Sequence, residues 1–237
     1  MARHYSDEAE LARLDRLYDE GKIGSRELMQ WDMDVLPRDA ELLGREAAAM
    51  PQDRAFPVFV AAVRGRGAQI EIVSDGFGFY VESNLAAIGV RDVFIATNHN
   101  RVGQGARGMS FPFGHPSCFV CGTCKRERVR LHQAAGRVVV FIGDGTSDRF
   151  AAAHADMVFA KGSLAGICAA EGWPAIEWDS FTDVLSEVDK AFADGRLPAD
   201  ADLLLEWRAT REHAPRAFIC GPEVWGPGRT TPGPGPH

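Results

Sequence analysis

Residues 138–148, VVVFIGDGTSD, constrain this chain more than any other stretch, because five consecutive apolar residues end at a glycine and an aspartate, with a second aspartate four positions on. Strands buried on both faces lack polar alternation, and ligands gather where parallel strands end at their carboxyl edge. The stretch therefore predicts a buried strand emptying into a polar loop that holds Asp144 and Asp148 at a site. Gly143 and Gly145 let the backbone turn tightly there, and two carboxylates on one short loop suit a hard cation such as magnesium. A plain strand-to-helix turn, with Asp148 favoured by the helix dipole, accounts for the same letters.

A chain of 237 residues that is 46% hydrophobic can bury a core of ordinary size with an accessory piece. Its formal charge is −7. No basic cluster is interleaved with aromatic residues, which argues against a nucleic-acid surface and for small-molecule chemistry. Neither a basic segment followed by an apolar stretch at the N-terminus nor a run of about 18 apolar residues occurs, so the expected setting is the cytoplasm, away from membranes. The five cysteines are an odd number, with three packed into residues 118–124. In a reducing compartment that pattern points to metal or tight packing rather than a disulfide framework.

Residues 1–52 read as helical. Ser6 is placed to cap a first helix carrying Leu11, Leu14 and Leu17, and Ser25 a second carrying Leu28, Met29 and Met33 that halts before Pro37. Leu42 and Leu43 mark a third. A helix opens at Pro57, and alternation then predicts strand 70–73, helix 77–88, strand 92–96, a loop to about 123, helix 124–135, strand 137–142, helix 147–154, strand 156–160 and helix 163–171. A strand over 175–178 and a helix over 181–192 come next. This is an α/β fold with parallel strands: residues 1–52 form a helical cap, 53–195 a three-layer Rossmann-like core, and 196–237 an extension whose proline- and glycine-rich end, GPGRTTPGPGPH, reads as disordered.

Two other stretches carry chemistry-bearing residues. In IVSDG, residues 72–76, the Ser74 hydroxyl and the amides of Asp75 and Gly76 are placed to grip an anion, although Ser-Asp-Gly is also ordinary turn chemistry. Lys125 begins a helix, where the dipole disfavours a cation. A bound phosphate would supply a reason for it, and so would simple solvation beside Arg126 and Arg128.

In order and content these three stretches resemble the haloacid dehalogenase superfamily of phosphohydrolases. Ser74 resembles the family's second motif, which binds the phosphoryl group; Lys125 resembles its lone lysine; and residues 143–148 match its fourth motif, GDxxxD, which would make Asp144 and Asp148 magnesium ligands. Within the superfamily the chain resembles the phosphoserine-phosphatase-like branch and, there, the phosphatases of methionine salvage. The features behind this narrower match are EGKIGSREL at 20–28, CFVCGTCK at 118–125 and DMVFAKG at 156–162. The resemblance implies magnesium-dependent hydrolysis of a small phosphorylated metabolite.

One departure is large. The family's first strand ends in DxDGT, which holds the nucleophile and the general acid, and no such segment occurs in this sequence. Asp32-Met33-Asp34 spells DxD, but it lies in a helical pattern beside Trp31, whereas an attacking carboxylate belongs on a strand end facing phosphorus. In the family the absent strand is central to the sheet. A sequence shortened at its N-terminus, and inactive as written, is therefore the expectation; the alternatives are a non-catalytic protein that keeps the phosphate cradle, or a zinc or thiol module on an α/β scaffold. The last rests on His115, Cys118, Cys121 and Cys124, spaced H-x2-C-x2-C-x2-C, a density that can close a tetrahedral zinc site and that equally suits a packed thiol loop. His99 and His154 are lone histidines, and Cys168 reads as a small core residue.

Overall fold

In the computed structural model the described residues are 4–20, 22–101, 108–115 and 120–195. Their first helix, α1 (Glu8–Asp19), is capped by Asp7, whose carboxylate accepts the Glu10 amide at 2.9 Å. The cap is thus one residue later than the serine that the sequence suggested. In α2 (Ser25–Val35) the Glu27 carboxylate reaches back to the Gly24 amide at 2.9 Å. Gly24 is therefore the cap and Ser25 the first helical residue, which releases the Ser25 hydroxyl for a different task. Asp39 caps α3 (Ala40–Ala49) through the Leu42 amide. The apolar positions of α2 and α3 meet as the helical period requires: Met29, Met33, Leu36 and Leu43 form a buried cluster with Phe77, and Phe79, Tyr80, Met109 and Phe111 pack against it. Asp32 and Asp34 lie within α2, so the internal DxD is helical, as its pattern indicated.

After α4 (Phe56–Gly65) come β1 (Glu71–Phe77), α5 (Gly78–Ala87), β2 (Phe94–Arg101) and β3 (Gly108–Ser110). Strands β1 and β2 run parallel, Val73 opposite Ala96, and their register shifts between Val73 and Phe77, where the sequence reads Ser-Asp-Gly. Two corrections concern β2 and the segment after it. The strand continues to Arg101 because Thr97 and Asn98, polar but 1% and 0% exposed, find their partners inside the protein. Part of the expected loop also forms β3, which pairs antiparallel to β2 with His99 opposite Ser110.

The remaining elements are α6 (Lys125–Ala134), β4 (Val140–Gly143), a 3-10 turn (Thr146–Asp148), α7 (Arg149–Ala152), β5 (Met157–Ala160), α8 (Gly162–Glu171), β6 (Ile176–Glu177) and α9 (Phe181–Ala193). Strands β4, β5 and β6 are parallel neighbours in that order. Every residue of β5 is buried, and Val129, Ala151, Ala152, Val158, Leu164 and Cys168 belong to the core around it. The single helix expected over 147–154 is instead a 3-10 turn and a short α7, because the Asp148 side chain folds back on the loop that precedes it.

The described residues divide into two compact units. One contains residues up to Pro57 and Ala68–Cys124; the other contains Val58–Gly67 and the residues from Lys125 on. Within the second, Phe59 of α4 packs on Phe181 at 4.9 Å between ring centroids, and Arg66 pairs with Asp189 at 2.9 Å. Among the described residues β1 pairs only with β2, and β4 only with β5. Both edge strands are apolar yet keep intermediate exposure at Ile72, Val73, Val140, Phe141 and Ile142. No helix among the described residues is long and apolar enough to cross a membrane.

Candidate functional site

The expected site residues fall in two places, one in each unit: at the register shift within β1 and just after β4. At the register shift within β1 the Ser74 Oγ accepts the Gly76 amide at 3.1 Å. That amide is therefore engaged within its own turn, and the hydroxyl proton of Ser74 remains a donor. Asp75 Oδ1 accepts the Thr123 amide at 2.8 Å and Asn98 Nδ2 at 3.1 Å, while Asn98 Oδ1 accepts the Thr123 hydroxyl at 3.1 Å. Asn98 Nδ2 also points at Met29 Sδ, 3.0 Å away. The Asp75 carboxylate thus holds the loop that leads into α6.

Helix α2 holds the same loop from another direction. The Ser25 hydroxyl donates to the Val120 carbonyl at 3.1 Å and accepts the Gly122 amide at 3.1 Å, and Arg26 Nε donates to the Cys121 carbonyl at 2.9 Å. A Cβ on Gly122 would lie 2.5 Å from Asn98 Oδ1, and one on Gly24 2.7 Å from the Val120 carbonyl oxygen. Only glycine permits these approaches. Cys121 and Cys124 are buried in this loop, and Cys118 lies outside the described residues. Among the described residues no three His, Cys, Asp or Glu side chains are grouped to hold a metal, so the alternative of a zinc quartet with His115 gains no support. Cys168 is a core residue, 2% exposed, and burial pushes its thiol pKa up.

At the end of β4 the chemistry is ionic. Lys125 Nζ donates to Asp148 Oδ1 at 2.5 Å and to Ser147 Oγ at 3.0 Å, with the two charged side chains only 10% and 8% exposed. Asp148 Oδ2 accepts the amides of Asp144 and Gly145, each at 2.9 Å. The cation at the start of α6 therefore has a structural partner. Gly143 must be glycine, since a Cβ there would sit 2.7 Å from Asp148 Oδ2. The consequence for the acidic pair is that its members differ: Asp148 is buried with both oxygens engaged, whereas Asp144 is exposed.

Magnesium usually takes one or two protein carboxylates together with substrate oxygens and waters. Asp144, a hard oxygen donor on a backbone fixed by Asp148, fits that role. Asp148 fits it less well, because it already neutralises Lys125. Sequence reasoning missed Ser147, Asn98 and Thr123, which are short polar residues whose contacts come from distant positions. It also missed Trp178, whose Nε1 donates to the Gly143 carbonyl at 3.4 Å.

Comparison with known proteins finds curated relatives and a family. The 2-hydroxy-3-keto-5-methylthiopentenyl-1-phosphate phosphatase of Exiguobacterium sp. is 28% identical over 134 residues, which cover 54% of this chain and 60% of that protein. The enzyme of the same name from Bacillus pumilus is 28% identical over 137 residues (57% and 59%), and that from Brevibacillus brevis 29% over 132 residues (55% and 60%). The chain spans less than two thirds of the length of these curated relatives. Residues 2–153, more than half of the sequence, match the family described as haloacid dehalogenase-like hydrolase. The chain therefore belongs to the haloacid dehalogenase-like hydrolase family.

Proposed function

We propose that this chain is the greater part of a magnesium-dependent phosphomonoester phosphatase acting in the cytoplasm on a small phosphorylated metabolite, and that it is inactive without a preceding strand ending in DxDGT. The observation that carries the reading is the arrangement at the end of β4, where Asp148 binds Lys125 through one oxygen and the amides of Asp144 and Gly145 through the other. That arrangement holds a buried ammonium ion in place and leaves the Asp144 carboxylate outward. A bound magnesium ion would neutralise charge developing on the transferred phosphoryl group. Asp144 would hold it, the Ser74 hydroxyl would donate to a phosphoryl oxygen, and Lys125 would supply fixed positive charge. Residues 1–52 serve as the cap that selects the substrate. The names of the relatives suggest a phosphorylated intermediate of methionine salvage.

A second reading, a phosphate-binding protein without catalysis, is favoured by one observation: the Asp-x-Asp at 32–34, which spells the start of the nucleophile motif, lies in α2 rather than on a strand end. The two readings separate in an assay of the 237-residue chain and an upstream-extended form against a panel of small phosphomonoesters with magnesium. The phosphatase reading expects turnover by the extended form alone, abolished by Asp144→Asn and by Lys125→Ala. Turnover by neither form, with phosphate still bound, establishes the binder. Turnover by the short chain that is lost in Asp32→Asn overturns both.

A further inference from the structure

Asp144 is exposed, yet its backbone is held on every side. Its amide is bound by Asp148, its carbonyl accepts the Leu164 amide at 3.2 Å, and the Gly143 carbonyl before it accepts the Lys161 amide at 3.2 Å. Gly162 sits over the Asp144 carbonyl at φ +55°, so close that a Cβ would lie 2.9 Å from that oxygen. The remaining contact comes from far along the chain. Trp178, 8% exposed and braced by Phe181 at 5.1 Å, donates its indole N–H to the Gly143 carbonyl at 3.4 Å.

Lys161 holds the indole in turn. Its ammonium lies 3.6 Å from the Trp178 ring centroid and donates to the Asp179 carbonyl at 3.4 Å. A lysine on an aromatic face is attracted by the ring quadrupole, and the attraction grows as the pair is desolvated. The ring therefore has a cation on its face, a phenyl ring against it and its one polar atom on the strand end that carries Asp144.

We infer that Trp178, clamped by Lys161, is the positioning residue for Asp144 and so tunes the affinity of this strand end for a divalent cation. The inference rests on the proposal that Asp144 holds magnesium, and it adds two residues to which the sequence assigned no role at the site. A metal ligand displaced by a fraction of an ångström binds less well, and residues that orient ligands affect affinity by about 10–100-fold. Trp178→Phe keeps the ring and its cation contact but removes the donor. Lys161→Met removes the cation, and Lys161→Arg restores it.

Magnesium and manganese titrations of the 237-residue chain test this, by calorimetry and by manganese resonance, with melting temperatures measured in parallel. The expected result is about tenfold weaker binding in Trp178→Phe, a smaller loss in Lys161→Met, recovery in Lys161→Arg and no binding in Asp144→Asn, at unchanged melting temperature. In the unaltered protein magnesium should also change the fluorescence that Trp178→Phe removes, a signature that requires no folded variant other than that one. If Asp144→Asn abolishes binding while Trp178→Phe and Lys161→Met bind as the parent does, the positioning role is overturned and the magnesium assignment stands. If Asp144→Asn binds as the parent does, the assignment fails and takes this inference with it.

Discussion

At the register shift within β1 an aspartate is held by an amide and a carboxamide; in the turn after β4 an aspartate is held by two amides and a lysine. Asp75 receives Thr123 and Asn98, and Asp148 receives Asp144, Gly145 and Lys125. Both carboxylates fix a loop beside their own strand. The difference is in what a broken network leaves behind. Around Asn98 the loss is of hydrogen bonds alone: the Thr123 hydroxyl loses its acceptor, and Asp75 loses one donor but keeps the Thr123 amide. Around Asp148 it is of a buried charge's counterion, and a stranded buried charge is far more costly than an unmade hydrogen bond.

The largest effect should therefore come from Asp148→Ala, which leaves the Lys125 ammonium buried beside Ser147 alone. Losing one partner of a buried pair costs about 3–5 kcal/mol. Lys125→Met should cost distinctly less, since Asp148 keeps its two amide donors and the methionine fills similar volume. Denaturant unfolding of both variants measures the asymmetry, and a Lys125→Met penalty larger than that of Asp148→Ala would break the comparison.

Next in size is Asn98→Ala. It removes the acceptor of the buried Thr123 hydroxyl and one donor to the half-buried Asp75. Each buried polar group left unsatisfied costs about 1–3 kcal/mol, so a loss near the upper part of that range is expected, without the charge penalty. A cost equal to that of Asp148→Ala would show that charge is not what separates the two places. Gly162→Ala should come third, at about 1–2 kcal/mol, because a side chain at φ +55° is strained and would press on the Asp144 carbonyl.

The smallest effect sets the scale for exposed acids. Asp183 accepts the Ser180 amide first, then the Ser180 hydroxyl and the Asp179 amide, and these contacts hold its pKa below the usual aspartate value. Because the folded value is lowered, the contribution is present at pH above the ordinary aspartate range and is lost as pH falls through the lowered value. Corrected for the intrinsic pH dependence of exchange, amide protection in the first turn of α9 should fall over that acid window, and should show no such step in Asp183→Asn. An exposed carboxylate of this kind should move global stability much less than any of the three changes above.

Much of the scaffold could be read from local pattern. The period of Met29, Met33 and Leu43 announced the N-terminal helices, the run at 138–142 announced β4, and the glycines at 143 and 145 announced the turn that brings Asp148 back. Cap positions were less legible. Ser6 and Asp7 are equally good caps by type, and Ser25 lost that task only because Glu27 can reach the Gly24 amide. The second half of β2 was hidden because Thr97, Asn98 and His99 look like surface until their partners are known. Strand β3 was hidden because three residues carry too little periodicity to register.

For the candidate site residues, the sequence by itself determined the residue types: a hydroxyl at 74, a lysine at 125 and acids at 144 and 148, in an order that resembles a family of phosphohydrolases. Such motifs are legible because each is short and its residue types carry the function wherever the chain is bent. What only the tertiary structure decided is how those groups divide the work. Two acids four residues apart are equivalent as letters, but Asp148 lies where the Lys125 ammonium and two amides converge, and Asp144 lies outside that convergence. Partners 23 residues apart, like the Trp178 indole 35 residues from the carbonyl it meets, leave no periodic trace, because their contact depends on the path of the whole intervening chain.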